Sequence, residues 1–216
     1  MAEARTTELR AALAEQAPLL RRAVDLDPAG LVRMRLDVGT TAVFVRLPFG
    51  VLVARTVAAS TGQRLDRTML AREVLAWLDG EQTEAPAARD ADWRGGLPPA
   101  AGWRRVDSLP DEVVRDLVRR GAATLQDAAA RDGVPGAQPR AEVADALLDS
   151  VVVTVTADDT TDRADVTLRS LSALTRMGFL ARGSSAHVDV NGRWTRVAAA
   201  YGTVYAERPG LGLGLL

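Results

Sequence analysis

The sequence predicts an α+β protein with three consecutive parts: a helix/β-meander/helix unit over residues 1–80, a Pro/Gly-rich linker over 81–106, and a helical and hairpin unit over 107–216. Three observations carry this. Apolar residues recur at helical spacing in several segments, strict alternation of apolar and polar residues runs from Leu31 to Ala58, and Asn191-Gly192 stands between two alternating stretches. A period near 3.6 marks a helix with one buried face, a period of two marks a half-buried strand, and Asn-Gly is the strongest two-residue hairpin signal.

Leu9, Leu13, Leu20 and Val24 predict a helix over 3–24 that breaks or restarts at Pro18, which removes a backbone donor. Val32, Met34 and Leu36, then Val43, Val45 and Leu47, then Val51 and Val53 predict a meander of about three short strands, punctuated by Gly39 and Pro48-Phe49-Gly50. Leu65, Met69, Val74, Leu75 and Leu78 predict a second helix from Leu65 to Leu78, stopped at Gly80. Residues 81–106 lose periodicity, and their Trp93 and Trp103 imply that the linker packs against something, since two exposed indoles would cost solubility.

Ser108-Leu109-Pro110-Asp111 reads as a helix start, with a Ser cap and acids where the helix dipole favours them, and the helix continues to about Ala130. A restart at Ala141 gives a helix to about Asp149, followed by a strand from Val151. An acidic loop, Asp158 to Asp165, precedes a helix over Val166 to Met177 closed by Gly178. Ala186 to Val190 and Arg193 to Tyr205 form the arms of the Asn-Gly hairpin, and the Leu/Gly tail after Pro209 is irregular.

Composition excludes more than it proposes. All 27 basic residues are Arg, and Lys, Ile and Cys are absent, the pattern that GC-rich codon usage produces. Without Lys there is no Schiff base or phosphate-loop lysine; without Cys there is no thiol nucleophile or thiolate metal site. A single His, His187, excludes any site that needs two. No apolar run approaches the roughly 18 residues that span a bilayer, and the N-terminus carries no signal pattern, so a cytoplasmic protein without a membrane role is expected.

The sharpest motif is Leu168-Arg169-Ser170-Leu171-Ser172-Ala173-Leu174-Thr175-Arg176-Met177-Gly178-Phe179-Leu180, followed by the hairpin. Leu168, Leu171 and Leu174 line one face, leaving Arg169, Ser170, Ser172, Ala173 and Arg176 on the other. This segment resembles the recognition helix and wing of winged helix-turn-helix proteins, within residues 110–208 and most closely over 166–197. The resemblance implies that Thr167, Arg169, Ser170, Ser172, Ala173 and Arg176 face the major groove of double-stranded DNA, with Arg193 and Arg196 of the wing on the backbone. Charge agrees in sign: residues 166–216 sum to +4 and residues 1–165 to −5. The same residues also read as an ordinary amphipathic helix feeding an antiparallel sheet.

Other motifs are weaker. The 158–165 loop lacks the alternating ligands and terminal Glu of a calcium loop and reads as a solvated turn with a helix cap. His187 and Asp189 are two apart on one strand, a poor basis for a catalytic triad, which is assembled across a fold. Phe44-Val45-Arg46-Leu47 with Phe49-Gly50-Val51 echoes Trp194-Thr195-Arg196-Val197 with Tyr201-Gly202-Thr203, an echo that a duplicated helix-plus-hairpin unit or, more simply, the coincidence of hairpin chemistry can generate. The reading that results is a non-enzymatic binding or regulatory protein with no cofactor or metal, binding nucleic acid through 166–197. The alternative is a protein-interaction adaptor or homo-oligomer, with a protein partner or the chain itself in contact with the Trp-bearing linker, the strand edges or the Leu tail.

Overall fold

The structure is a computed structural model that describes residues 2–58, 64–131, 137–157 and 162–207; the first half of the acidic loop, 158–161, and the whole Leu/Gly tail lie outside the described residues. The chain divides into two compact units, Met1–Leu97 and Pro98–Leu216.

The first unit opens with α1 (Ala2–Ala14) and α2 (Ala17–Leu26). The break falls where Pro18 allows it, because a proline in the first turn of a helix loses only a donor that has no intrahelical partner. Three strands follow as an antiparallel meander, β1 (Leu31–Asp37), β2 (Thr40–Arg46) and β3 (Leu52–Ala58). Residues 65–78 then depart from the single helix that their spacing predicts. Leu65–Leu70 form a strand, β4, antiparallel to β1, and only Ala71–Leu78 are helical, as α3. Leu65 and Met69 are four apart, a spacing that satisfies both the helical period and the strand period, so pairing with Leu36 and Val32 decides the outcome. The strand order is β4-β1-β2-β3.

Val32, Met34 and Leu36 of β1 and Val43 and Val45 of β2 are buried, as are Leu19 and Leu20 of α2 and Val74 and Trp77 of α3, which packs on α2. Each such side chain contributes about 1.5–3 kcal/mol by leaving water. Arg33, Arg35 and Asp66 occupy the alternate positions, and Arg33 pairs with Asp66 through two bonds of 2.7 and 2.8 Å. The segment after α3, read as linker, is part of this unit. It passes a short 3-10 turn (Asp90–Asp92), is bonded to Thr68 of β4, sets the Trp93 ring 6.0 Å from the Arg33 guanidinium carbon, and brings Gly95 against Arg46.

The second unit begins with β5 (Arg104–Pro110), so Ser108-Leu109-Pro110 is strand and not a helix cap; pairing with the later hairpin outweighs the local cap signal. Two helices follow, α4 (Asp111–Arg131) and α5 (Ala137–Leu148), then a hairpin of β6 (Val151–Thr156) and β7 (Arg163–Thr167). The strand β7 replaces the end of the predicted acidic loop and the start of the predicted helix, which is shorter: α6 spans Leu168–Arg176. The arm predicted as Arg193 to Tyr205 is two strands. After β8 (Ser185–Asn191), β9 (Trp194–Ala199) turns at Tyr201 into β10 (Gly202–Glu207). Gly202 is required there because Phe179 lies over it: a Cβ would stand 2.5 Å from the ring. The strand order is β5-β8-β9-β10.

The two units therefore share a plan. In each, a helix leads into a three-stranded antiparallel meander, and a fourth strand pairs with the meander's first strand. The echo between Phe44–Arg46 and Trp194–Arg196 falls on the middle strands of the two meanders, β2 and β9. The positions do not match, however: Phe44 is the fifth residue of β2 and Trp194 the first of β9, so the repeated plan lies in the strand order and not in the echoed residues.

Candidate functional site

The residues expected to read DNA have other engagements. Thr167 is the N-cap of α6, its side chain accepting from the Ser170 backbone N–H, so the hydroxyl closes the helix start. Arg169 is only 13% exposed and donates to Asp149 at 2.7 Å and to Asp145 at 3.2 Å, both on or just after α5. The bond to Asp149 above all raises its pKa beyond the ordinary arginine value. Ser170 and Ala173 are buried. Only Ser172, half-buried, and Arg176, exposed, remain on the outer side of α6.

This placement corrects the expectation that Thr167, Arg169, Ser170 and Ala173 present a reading surface. The helix preceding α6 in a helix-turn-helix is here replaced by the β6–β7 hairpin, and α6 buries Leu168, Leu171 and Leu174 together with Ser170 and Ala173. Packing on two sides is what a short helix within a layered α+β unit needs. On the hairpin, exposed Arg193 lies 3.6 Å from Glu207 and over the Trp194 ring, while Arg196 is drawn into the sheet by Asp189.

Arg196 belongs to a row that crosses the sheet. Arg105, Asp189, Arg196 and Tyr205 are direct partners on β5, β8, β9 and β10. The Asp189 side chain is 2% exposed and accepts from Arg105 Nε at 2.6 Å and Arg196 Nε at 2.7 Å, so a buried carboxylate is satisfied by two guanidinium groups. Arg196 also stacks on Trp103, 4.5 Å from the ring centroid, and Trp103 lies 5.7 Å from Tyr205. Burial raises the Tyr205 pKa above its ordinary value. Trp103 is fixed by its indole N–H to the Pro99 carbonyl and by Asn191 donating to Ala101. The sequence carried one signal for this cluster: an acid, Asp189, between two valines of an otherwise apolar strand.

Chemically, the cluster holds a segment and a sheet together. Its acid is paired with two guanidinium groups and one face of Trp103 is covered by Arg196. Next to it, Ser108 Oγ and His187 Nδ1 share a 2.8 Å hydrogen bond across β5 and β8. No third polar group orients the ring in the manner of a triad among the described residues, and Asp189 is committed to the two arginines. Among the described residues no three His, Cys, Asp or Glu side chains gather as a metal site. No described helix is long and apolar enough to cross a membrane.

The long helix α4 shows how the charge is used elsewhere. Arg115 pairs with Asp111, and Arg119 and Arg120 pair with Asp116, within the helix itself. Exposed i,i+3 and i,i+4 pairs of this sort contribute a few tenths of a kcal/mol each and leave little net positive field for a phosphate backbone.

Solved structures of sliding clamps resemble this chain in fold. The Pseudomonas aeruginosa DNA polymerase sliding clamp superposes with a TM-score of 0.53 at 11% identity, covering 93% of this chain and 63% of the clamp. The DNA polymerase III subunit beta of the same organism gives 0.54 at 12%, covering 92% and 62%. The Helicobacter pylori beta clamp gives 0.53 at 10%, covering 92% and 63%. The fold is thus sliding-clamp-like, and the chain spans less than two thirds of the clamps' length. Residues 98–211 match the family described as Domain of unknown function (DUF8185), and the chain belongs to that family; residues 4–95 match a second, Domain of unknown function (DUF8010). No curated protein matches the sequence.

Proposed function

We propose that this protein is a non-enzymatic, DNA-associated scaffold of the sliding-clamp type, which holds protein partners by its surfaces and does no chemistry on them. The observation that carries this reading is the paired helix-and-meander topology, which follows DNA polymerase sliding clamps over 92–93% of the chain. The engaged state of Asp189, Arg105 and Arg196 supports it, since the buried carboxylate and its two arginines are spent on holding structure. Sequence-specific reading by α6 has less support, because four of its six proposed contacts are capping, paired or buried.

Crosslinking in the source cells, with mass spectrometry of the captured proteins before and after DNase, tests the reading. DNA-processing enzymes captured in a DNase-sensitive manner are expected. Capture of none would overturn it, and submicromolar sequence-specific binding to duplex DNA that Arg176→Ala with Arg193→Ala abolishes would replace it with the helix-and-wing reading.

A further inference from the structure

We infer that the outer edges of β4 and β5 are closed by the chain's own groups against strand addition, so that copies of this protein do not join by continuing either sheet across these strands. The relevant quantity is where the outward backbone groups of an edge strand find partners. An unpaired row of N–H and C=O groups is a template for another strand, and natural sheets blunt such edges with charges, prolines, bulges or covering segments.

On β4 the central outward residue is Thr68. Its carbonyl accepts from the Arg89 N–H at 2.8 Å and its N–H donates to Asp90 Oδ1 at 2.6 Å. Both groups are therefore used by the 3-10 turn lying alongside, and Thr68 is buried. A second strand could reach β4 only by displacing that turn, at the cost of two hydrogen bonds, one of them to a carboxylate.

On β5 three devices act in series. The register identifies the outward residues. Asn191 and Trp194 close a two-residue hairpin and so exchange ladder bonds, which assigns His187 and Asp189 of β8 to β9; the Ser184 carbonyl, of the opposite parity, accepts from Asp111 on the β5 side. Ser108, opposite His187, and Pro110, opposite Ser185, consequently turn their backbone groups outward. The Ser108 N–H is taken by Asp107 Oδ1 at 2.6 Å, and Pro110 has no N–H to offer. Between Arg105 and Asp107 the register shifts, and this bulge bends what remains of the edge.

Sedimentation velocity over a wide concentration range, with residue-resolved hydrogen exchange on the same full-length samples, tests this. The wild-type chain is expected to show no concentration-dependent association through these strands, with slow exchange at the Thr68 and Ser108 amides. Asp90→Ala should speed Thr68 exchange roughly tenfold or more, the factor that a hydrogen bond to a charged group carries. Asp90→Ala combined with Asp107→Ala and Pro110→Val should associate as concentration rises. Fast exchange at Thr68 and Ser108 in the wild type would overturn the inference, whether or not the variants fold. A triple variant that retains the wild-type circular dichroism spectrum and remains monomeric would overturn it too.

Discussion

The guanidinium carbon of Arg196 sits 4.5 Å from the ring centroid of Trp103, while Nε of the same side chain donates to Asp189 at 2.7 Å. One arginine thus ties a segment that precedes the sheet to the carboxylate buried within it. Stacking and ion pairing reinforce one another here, because each holds the planar group where the other needs it.

Arg196→Ala removes one of two partners from a carboxylate that is 2% exposed. The loss should cost about 2–4 kcal/mol, less than the full penalty of a broken buried pair because Arg105 remains. Urea unfolding measures it, and the emission of Trp103 should shift to longer wavelength before the main transition. Arg105→Ala, whose side chain is half exposed, should cost less.

Glycine at 202 is fixed by contact with Phe179. Gly202→Ala places a methyl group 2.5 Å from the ring and should destabilise by about 1–3 kcal/mol, the range for overpacking. The pair Gly202→Ala with Phe179→Leu should recover part of that loss, and the thermal midpoints of the three variants check the coupling.

Thr167 accepts from the Ser170 N–H at the start of α6, so Thr167→Ala should cost about 1 kcal/mol in stability, and Thr167→Ser much less. A DNA-reading role for the hydroxyl would instead leave stability unchanged and weaken duplex binding, which fluorescence anisotropy against a labelled duplex would detect.

Hydrogen bonding to Arg33 lowers the Asp66 pKa below the ordinary carboxylate value of 3.8. The folded state therefore holds this proton less tightly than the unfolded chain. The stabilisation is complete above the ordinary carboxylate value and is lost as pH falls through that value and below it. Arg33→Gln should bring Asp66 back toward its ordinary value, flatten this part of the acid limb, and lower stability more at neutral pH than at pH 3, as read from urea midpoints across the range. A difference independent of pH would show that Arg33 acts through packing on Trp93 alone.

Several elements were legible without coordinates because one local signal sufficed for each. Pro18 placed the break between α1 and α2, the valine alternation placed β1 to β3, and Asn191-Gly192 placed the turn between β8 and β9. Errors arose where two periods coincide or where a cap motif competes with pairing. Leu65 and Met69 suit either a helix or a strand, and Ser108-Leu109-Pro110 looks like a helix cap until a partner strand 77 residues later claims it, as Pro110 pairs with Ser185 and Leu109 with Ala186.

The segment expected to read DNA shows the same limit. The periodicity of 168–176 correctly gave a helix with Leu168, Leu171 and Leu174 inside, but periodicity cannot say that a second layer covers Ser170 and Ala173 or that acids from α5 and its end capture Arg169. What the sequence by itself determined is the α+β class, the residues of the apolar core faces, and the reaction classes that a chain without Lys or Cys cannot perform. Those depend on local spacing and on side-chain chemistry alone. Only the tertiary structure decided that Arg105, Asp189, Arg196 and Tyr205 form one row, that Asp90 and Asp107 close strand edges, and that the meander occurs twice, because each of these depends on register between segments far apart in the chain.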